Sequence, residues 1–219
     1  YYKHWRRWSL SLKYYKDVLG CALWRNLPFR LGDKRSKKPM RKWGGKAHTP
    51  GEPLDICQEW MNSGNAVSAR PGPGLIVIDV DVVGYNEDGS SFEKKGRESW
   101  AKLVERFNLP ETIRVKSPTG GVHHYYKVPE EPRDVPVTRE EFPDLDFIHV
   151  DHLFTIAGSP HWRGGHYRYV DGELQEMPPE CVEFLTRKTQ PALVPASSQN
   201  GSPWSSWRSE ALDRFPLEC

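Results

Sequence analysis

The sequence lacks paired cysteines, a long apolar run and a P-loop, and each absence excludes a class of protein. The four cysteines among 219 residues form no CxxC pair, which argues against structural zinc and against a disulfide framework. No uncharged apolar run approaches the roughly 20 residues that cross a bilayer, and the N-terminus has no signal-peptide core. The sequence contains no GxxxxGK[ST] motif, so it gives no indication of an ATP-driven motor. We therefore expect a cytoplasmic protein with no membrane association.

The net charge of +2 conceals an uneven distribution of charge along the chain. Residues 1–50 hold 14 Lys and Arg against two Asp, a net +12, so the remainder carries −10. Basic and aromatic residues are interleaved there, as in Trp5-Arg6-Arg7-Trp8, and such a mixture contacts phosphates and stacks on bases. The alternative for this segment is a solvated face or a disordered tail.

Hydrophobic periodicity and turn residues predict helices and strands around a core, which 37% hydrophobic residues can fill. Helices are expected at 55–62, 98–107 and 179–187. Strands are expected at 65–69, 74–84, 112–115, 122–128, 144–149, 153–157 and 166–171. Residues 31–53 and 85–89 are predicted as loops, and the Pro, Ser, Gln and Asn-rich segment 189–203 as a linker.

The run GLIVIDVDVVG at 74–84 carries two aspartates, Asp79 and Asp81, in a segment predicted to be a buried strand. Residues two apart on a strand point to the same face, so both side chains would enter one site. Two adjacent carboxylates in a low-dielectric place raise each other's pKa unless a cation offsets their charge. The pair predicts a divalent-metal site. The alternative is a pair of strand-end residues that form ion pairs with arginines.

A second candidate segment is SPTGGVHHYYKV at 117–128, a glycine turn followed by alternating residues. The alternation places His123 and Tyr125 on one face of the strand. Gly120 and Gly121 would let a phosphate approach the backbone closely, and His123 would donate a hydrogen bond to a phosphate oxygen. The alternative is a core histidine that is hydrogen-bonded to a carbonyl group.

The order and spacing of these motifs resemble a known family. After the DxD strand and the glycine turn that begins at Ser117 come Asp146 in LDF, Ser159 and His161 in SPHW, and then Tyr167. Over about residues 23–185 the chain is similar to the bifunctional DNA primase/polymerase (prim-pol) N-terminal domain of the archaeo-eukaryotic primase superfamily.

The chain departs from the family pattern at two positions. Ile148 stands where the family commonly has an Arg two residues beyond its third Asp, and residues 157–158 are Ala-Gly instead of Pro-Pro. The first departure leaves Asp144 and Asp151 as alternatives to Asp146.

The resemblance implies a fold, an activity and a set of site residues. The implied fold is α+β, a mixed β-sheet catalytic core of RRM-like type flanked by helices. The implied activity is template-directed nucleotidyl transfer, as DNA primase, DNA polymerase or both, by a two-metal-ion mechanism with Mg²⁺ or Mn²⁺ and dNTP or NTP substrates. Asp79, Asp81 and Asp146 would be the catalytic and metal-binding residues. The nucleotide-binding residues would be Ser117, Gly120, Gly121, His123, Ser159 and His161.

The resemblance also implies partners and a domain organisation. The partners would be a single-stranded DNA template and primer, and a helicase domain or protein, in a bacterial, archaeal, phage or plasmid replication system. We expect residues 1–22 to be a basic aromatic extension, 23–187 the catalytic domain and 188–219 a linker or flexible tail toward a further domain. The chain would then be part of a longer replication protein.

The residues leave other functions open. A non-catalytic nucleic-acid-binding module with the same fold would bind DNA without turnover. A glycosyltransferase would use the DxD motif for a nucleotide sugar and Mn²⁺, but the basic N-terminal segment at 1–50 and the glycine–histidine strand would then have no role. The Ser-Pro-His sequence at 159–161 has the alternative role of only shaping a turn.

Overall fold

The computed structural model of this protein describes residues Tyr14, 22–26, 54–130, 134–150, 152–170 and 172–187, with the backbone alone at 22–26, 54–56 and 58. All of them belong to one unit, Tyr1–Arg187. The basic aromatic segment at 5–8, the loop predicted at 31–53 and the linker predicted at 189–203 lie outside the described residues.

The described chain has short strands with three helices placed among them. The helices are α1 (Leu54–Asn62), α2 (Gly96–Phe107) and α3 (Pro179–Thr186). The first strands are β1 (Ala22–Asn26), β2 (Ala66–Arg70), β3 (Leu75–Val80), β4 (Val83–Tyr85), β5 (Ser91–Glu93) and β6 (Arg114–Lys116). The remaining strands are β7 (Val122–Lys127), β8 (Leu145–Ile148), β9 (Phe154–Thr155), β10 (Arg168–Val170) and β11 (Gln175–Glu176).

The largest sheet is mixed and has β3 between two antiparallel neighbours. Its order is β10-β6-β7-β3-β8, and β11 adds to it in parallel alongside β7. Strands β1, β2 and β9 form a second, antiparallel sheet, and β4 and β5 form a hairpin. This mixed sheet with few helices confirms the predicted α+β class.

Both faces of β3 are buried, because its side chains contribute alternately to two apolar clusters. Leu75 and Val77 belong to a cluster that also contains residues of α1, β2 and β9. Ile76, Ile78 and Val80 belong to a cluster with residues of α2 and α3. Asp79 has the parity of Leu75 and Val77, so its side chain extends the first face at the point where the apolar residues stop.

Helix α2 confirms the periodicity predicted around 98–107. Leu103 is buried, and the partly buried Trp100 and Val104 pack on the same cluster. The helix ends at Asn108, whose φ of 48° places it in the left-handed region that asparagine tolerates at a helix C-terminus.

The hairpin β4–β5 is the main difference from the predicted elements. Residues 85–89 were expected as a loop, and the structure makes most of them the turn between two three-residue strands. Strands of this length are too short for their alternation to be read from sequence.

Among the described residues there is no helix of the length and apolar character needed to span a bilayer.

Candidate active site

Asp79 lies between a histidine and a second aspartate because of the register of three neighbouring strands. It is directly opposite His123 on β7 and Asp146 on β8. Directly opposed residues on adjacent strands have side chains on the same face of the sheet. The His123 Nε2 is 3.4 Å from the Asp79 Oδ2, and the His123 side chain is almost completely buried.

Asp81 follows the last residue of β3, and Lys94, which lies between β5 and α2, contacts it. The Lys94 Nζ donates to the Asp81 Oδ2 at 2.7 Å and is 3.5 Å from the Asp144 Oδ1. Burial acts to lower the pKa of Lys94, but the hydrogen bond and charge of Asp81, together with Asp144, raise it above its ordinary value. The lysine is therefore a fixed positive charge beside the site.

The junction between Asp81 and α2 is held by the backbone. Asp144 has a φ of 62°, its main-chain oxygen accepts from the Asp81 N–H at 3.0 Å, and its Oδ2 accepts from the Lys95 N–H at 2.9 Å. A carboxylate is stabilised at a helix N-terminus. A Cβ on Gly96 would overlap the main-chain oxygen of Asp81, so the close approach of α2 requires glycine there.

Negative charge and burial dominate the electrostatics around Asp146, although Lys94 and His152 act in the opposite direction. The pKa of its carboxyl group is raised, first by burial and then by the charges of Asp79 and Asp81. The three predicted catalytic aspartates are therefore close enough to affect one another. Asp144, left open by the sequence as an alternative, is held by Lys94 and α2, and Asp151 lies outside the described residues.

Within the described part of the chain, no three His, Cys, Asp or Glu residues are arranged so that they could hold a metal ion. The geometry explains this, since the Asp81 carboxylate is turned to Lys94 and Asp79 faces His123. The predicted ligands are nevertheless three carboxylates, whose hard oxygen atoms suit Mg²⁺ or Mn²⁺.

The predicted glycine turn between β6 and β7 has the conformation that its glycines permit. The Ser117 N–H donates to the Gly121 carbonyl oxygen at 2.9 Å, and the Gly120 N–H donates to the Ser117 carbonyl oxygen at 3.2 Å. Gly120 has a φ of 94°. A Cβ on Gly121 would lie 3.1 Å from both the Ser117 Oγ and the Val80 carbonyl oxygen, so the turn fits tightly against the end of β3.

A cavity of about 420 Å³ brings most of the predicted residues together. The predicted residues that line it are Asp79, Asp81, Ser117, Gly121, His123 and His161.

Gly120, Asp146 and Ser159 are outside the described lining of this cavity. Ser159 is fully buried, where its Oγ accepts from the Val67 N–H at 2.9 Å and donates to the Val67 carbonyl oxygen at 3.1 Å. It connects the turn at 159–166 to β2.

Tyr167 lies against this site, as its place in the motif order suggested. Burial, followed by the negative charge of Asp79, raises the pKa of its hydroxyl to about 12. Its ring centroid is 5.7 Å from that of His123 and 5.8 Å from that of His161. The two histidines of the predicted site therefore share one aromatic neighbour.

Sequence reasoning did not single out several residues at the site. Lys94 carries no motif, because its position depends on the packing of α2 against β3. Thr119 lines the cavity, and its Oγ1 is 3.1 Å from the Ser117 Oγ. Tyr85 and Trp162 also line the cavity. Their aromatic side chains were the available signal, but nine tryptophans and nine tyrosines make that signal unspecific.

The chain is similar to a known protein family and to a solved structure. No curated protein matches the chain. The catalytic domain of primase Repb', solved in complex with initiator DNA, is similar in structure, with a TM-score of 0.52 and 15% sequence identity. The match covers 82% of this chain and 93% of that one, and at this identity it shows a shared fold. Residues 17–181 match the family described as "Bifunctional DNA primase/polymerase, N-terminal". Because that match covers most of the sequence, the chain belongs to the Prim-Pol family of bifunctional DNA primase/polymerase N-terminal domains.

Proposed function

We propose that this chain catalyses template-directed nucleotidyl transfer, as a DNA primase, a DNA polymerase or both. The observation that carries the proposal is the strand register that sets Asp79 between His123 and Asp146, with Asp81 two residues further along. The cavity at this point also has the glycine turn in its wall. Carboxylates beside a phosphate-binding turn are the groups that this reaction requires.

Asp79, Asp81 and Asp146 are the residues that would hold Mg²⁺ or Mn²⁺. The raised pKa of Asp146, caused by burial and by the two neighbouring carboxylates, supports this assignment because a cation there would offset the cost of a charged buried carboxylate and the repulsion from its neighbours. A pair of such ions, when bound, supplies a more acidic primer 3′-hydroxyl and neutralises charge on the triphosphate.

The other residues of the cavity would bind and orient the dNTP or NTP. Ser117 and Gly121 line the cavity, where the Ser117 hydroxyl and the backbone of the turn would contact a phosphate, and Gly120 would act by allowing the turn to form. His123 would orient the Asp79 carboxylate through its Nε2, and His161 would supply a hydrogen bond toward the triphosphate. Ser159 would act indirectly, by fixing the turn that carries His161 against β2.

We further propose the catalytic domain to be residues 23–187, with a single-stranded DNA template and primer bound through the basic N-terminal segment, residues 1–50. Residues 188–219 would be a linker toward a further domain, and a helicase domain or protein would be the partner in replication of the phage or plasmid type. The negative charge of DNA matches the +12 of residues 1–50.

The experiment is primer extension and unprimed synthesis with labelled dNTPs and NTPs in Mg²⁺ or Mn²⁺. Asp79→Asn and Asp81→Asn keep the shape of the side chains and remove the charges. Each should reduce synthesis at least about 100-fold, more than the 10–100-fold that loss of an indirect metal contact costs. Salt-dependent binding of single-stranded DNA should stay within about twofold. Glu98→Gln, an exposed carboxylate of α2, is the charge-matched control.

A second candidate function is a non-catalytic nucleic-acid-binding module. The observation that favours it is that Asp81 and Asp79 already have protein partners in Lys94 and His123. It predicts wild-type binding of single-stranded DNA without synthesis on any template. Full synthesis by Asp79→Asn would equally contradict the catalytic proposal.

A further inference from the structure

Two aromatic rings beside the carboxylates have no role in the function proposed above. Tyr85 comes from the end of β4 and Trp162 from the turn at 159–166, and both line the same cavity as Asp79 and Asp81. The ring centroids are 4.9 Å apart and the ring planes are 76° from parallel. Tyr85 and Trp162 are called the aromatic wall here.

Arg163 holds the aromatic wall together. Its guanidinium carbon is 4.6 Å from the centroid of Tyr85 and 4.5 Å from that of Trp162. Its Nη2 also donates to the Gly89 carbonyl oxygen at 2.5 Å, in the turn of the β4–β5 hairpin. Arg163 therefore joins the hairpin to the turn at 159–166 and covers one face of each ring. Both rings also line the cavity, so each presents part of its surface to a ligand bound there.

The cavity then has three chemically different parts. It has carboxylates at Asp79 and Asp81, hydroxyl and glycine groups at Ser117 and Gly121, and an aromatic surface at the wall. Its volume of about 420 Å³ is within the range of about 300–1,000 Å³ for small-molecule sites. A nucleoside triphosphate has the matching parts, which are a metal-binding polyphosphate and a planar base with a π face.

We propose that the aromatic wall binds the base of the incoming nucleoside triphosphate, with Trp162 and Tyr85 as its contacts and Arg163 as the residue that positions them. This inference rests on the proposed nucleotidyl transfer. Because the two rings are close to perpendicular, a base that stacks on one of them meets the edge of the other. Stacking of this kind accepts any base, since every base has a π face, which suits an enzyme whose template chooses the nucleotide.

The experiment compares a ligand that has a base with one that lacks it. Calorimetric titrations of the full chain with dATP and with inorganic tripolyphosphate, both in Mn²⁺, measure the two dissociation constants. Trp162→Leu removes the π face and keeps an apolar side chain, whereas Trp162→Phe keeps an aromatic ring. Phe92→Leu is the control, because Phe92 is on the same hairpin but is 47% exposed and outside the described lining of the cavity.

We expect Trp162→Leu to weaken dATP about 5-fold to 150-fold, the effect of one base–aromatic stack. Tripolyphosphate should stay within about twofold, Trp162→Phe should keep most of the dATP affinity, and Phe92→Leu should change neither ligand. Equal weakening of both ligands, or no change in either, overturns the inference and leaves the proposed function standing. A wild-type chain that binds neither ligand overturns both. Circular dichroism melting identifies a variant that fails to fold, and Trp162→Phe and Tyr85→Leu then provide the comparison.

Discussion

Replacing Lys94 with Gln removes the positive charge that contacts two carboxylates at the candidate site. The Nζ is 2.7 Å from the Asp81 Oδ2 and 3.5 Å from the Asp144 Oδ1. If Asp81 is a metal ligand, then Lys94 competes with the metal for the same carboxylate. The substitution should therefore lower the stability of the metal-free protein and raise its affinity for metal.

The exposure of the two partners limits the size of both effects. The side chains of Lys94 and Asp81 are 25% and 45% exposed, so solvent screens the pair and its contribution is at most about 1 kcal/mol. Loss of about 1 kcal/mol lowers the melting temperature by about 2–4 °C in a domain of this size. The same free energy no longer opposes metal binding, so the Mn²⁺ dissociation constant should fall about 5-fold.

The assay is calorimetric titration with Mn²⁺ and thermal denaturation in EDTA, on the full chain. Lys95→Gln is the matched control, because it removes the same charge from the neighbouring residue, whose side chain is exposed. It should change the Mn²⁺ dissociation constant less than twofold. Unchanged or weaker Mn²⁺ binding by Lys94→Gln would refute the reasoning, because the lysine would then not compete for Asp81.

Two further predictions concern the packing and the pH dependence of the fold. Gly96→Ala should lower the free energy of unfolding by about 1–3 kcal/mol, because its Cβ would overlap the main-chain oxygen of Asp81; a melting temperature equal to that of wild type would contradict the tight junction. Burial, and then the positive charges of Arg114 and His123, lower the pKa of His124 to about 3. Below pH 6.5 His124 is therefore protonated in the unfolded chain and stays neutral in the folded chain. Between pH 6.5 and pH 5 wild type should lose about 1–2 kcal/mol of stability that His124→Asn does not lose, measured by urea denaturation at each pH, and parallel losses would count against a neutral buried histidine.

Local patterns predicted most helices and strands, because an element that buries one face has apolar residues at regular intervals in the sequence. The helix expected at 98–107 is Gly96–Phe107, and the strand expected after the glycine turn is Val122–Lys127. Both have enough residues for the 3.6 or 2.0 period to repeat. Strands β5 and β11 have three and two residues, so no period was available to predict them.

Most residues of the candidate site could be predicted from the sequence, but the contacts between their side chains could not. The two-residue spacing of Asp79 and Asp81 predicted one shared face, and both line the same cavity. The partner of Asp81 was not predictable, since Lys94 arrives there through the packing of α2 beside β3. The role of Asp146 in binding metal stays a prediction, although its raised pKa, due to burial and then to Asp79 and Asp81, places it near both.

The sequence by itself determined which side chains share a face, because the period of a strand is a property of the local backbone. It therefore put Asp79 on the face of Leu75 and Val77 before any partner strand was known. Only the tertiary structure decided that β7 and β8 are the neighbours of β3, in the register that sets His123 and Asp146 opposite Asp79. Strand pairing joins segments that are distant in the chain through backbone hydrogen bonds that any residue can make, so local sequence carries no record of it.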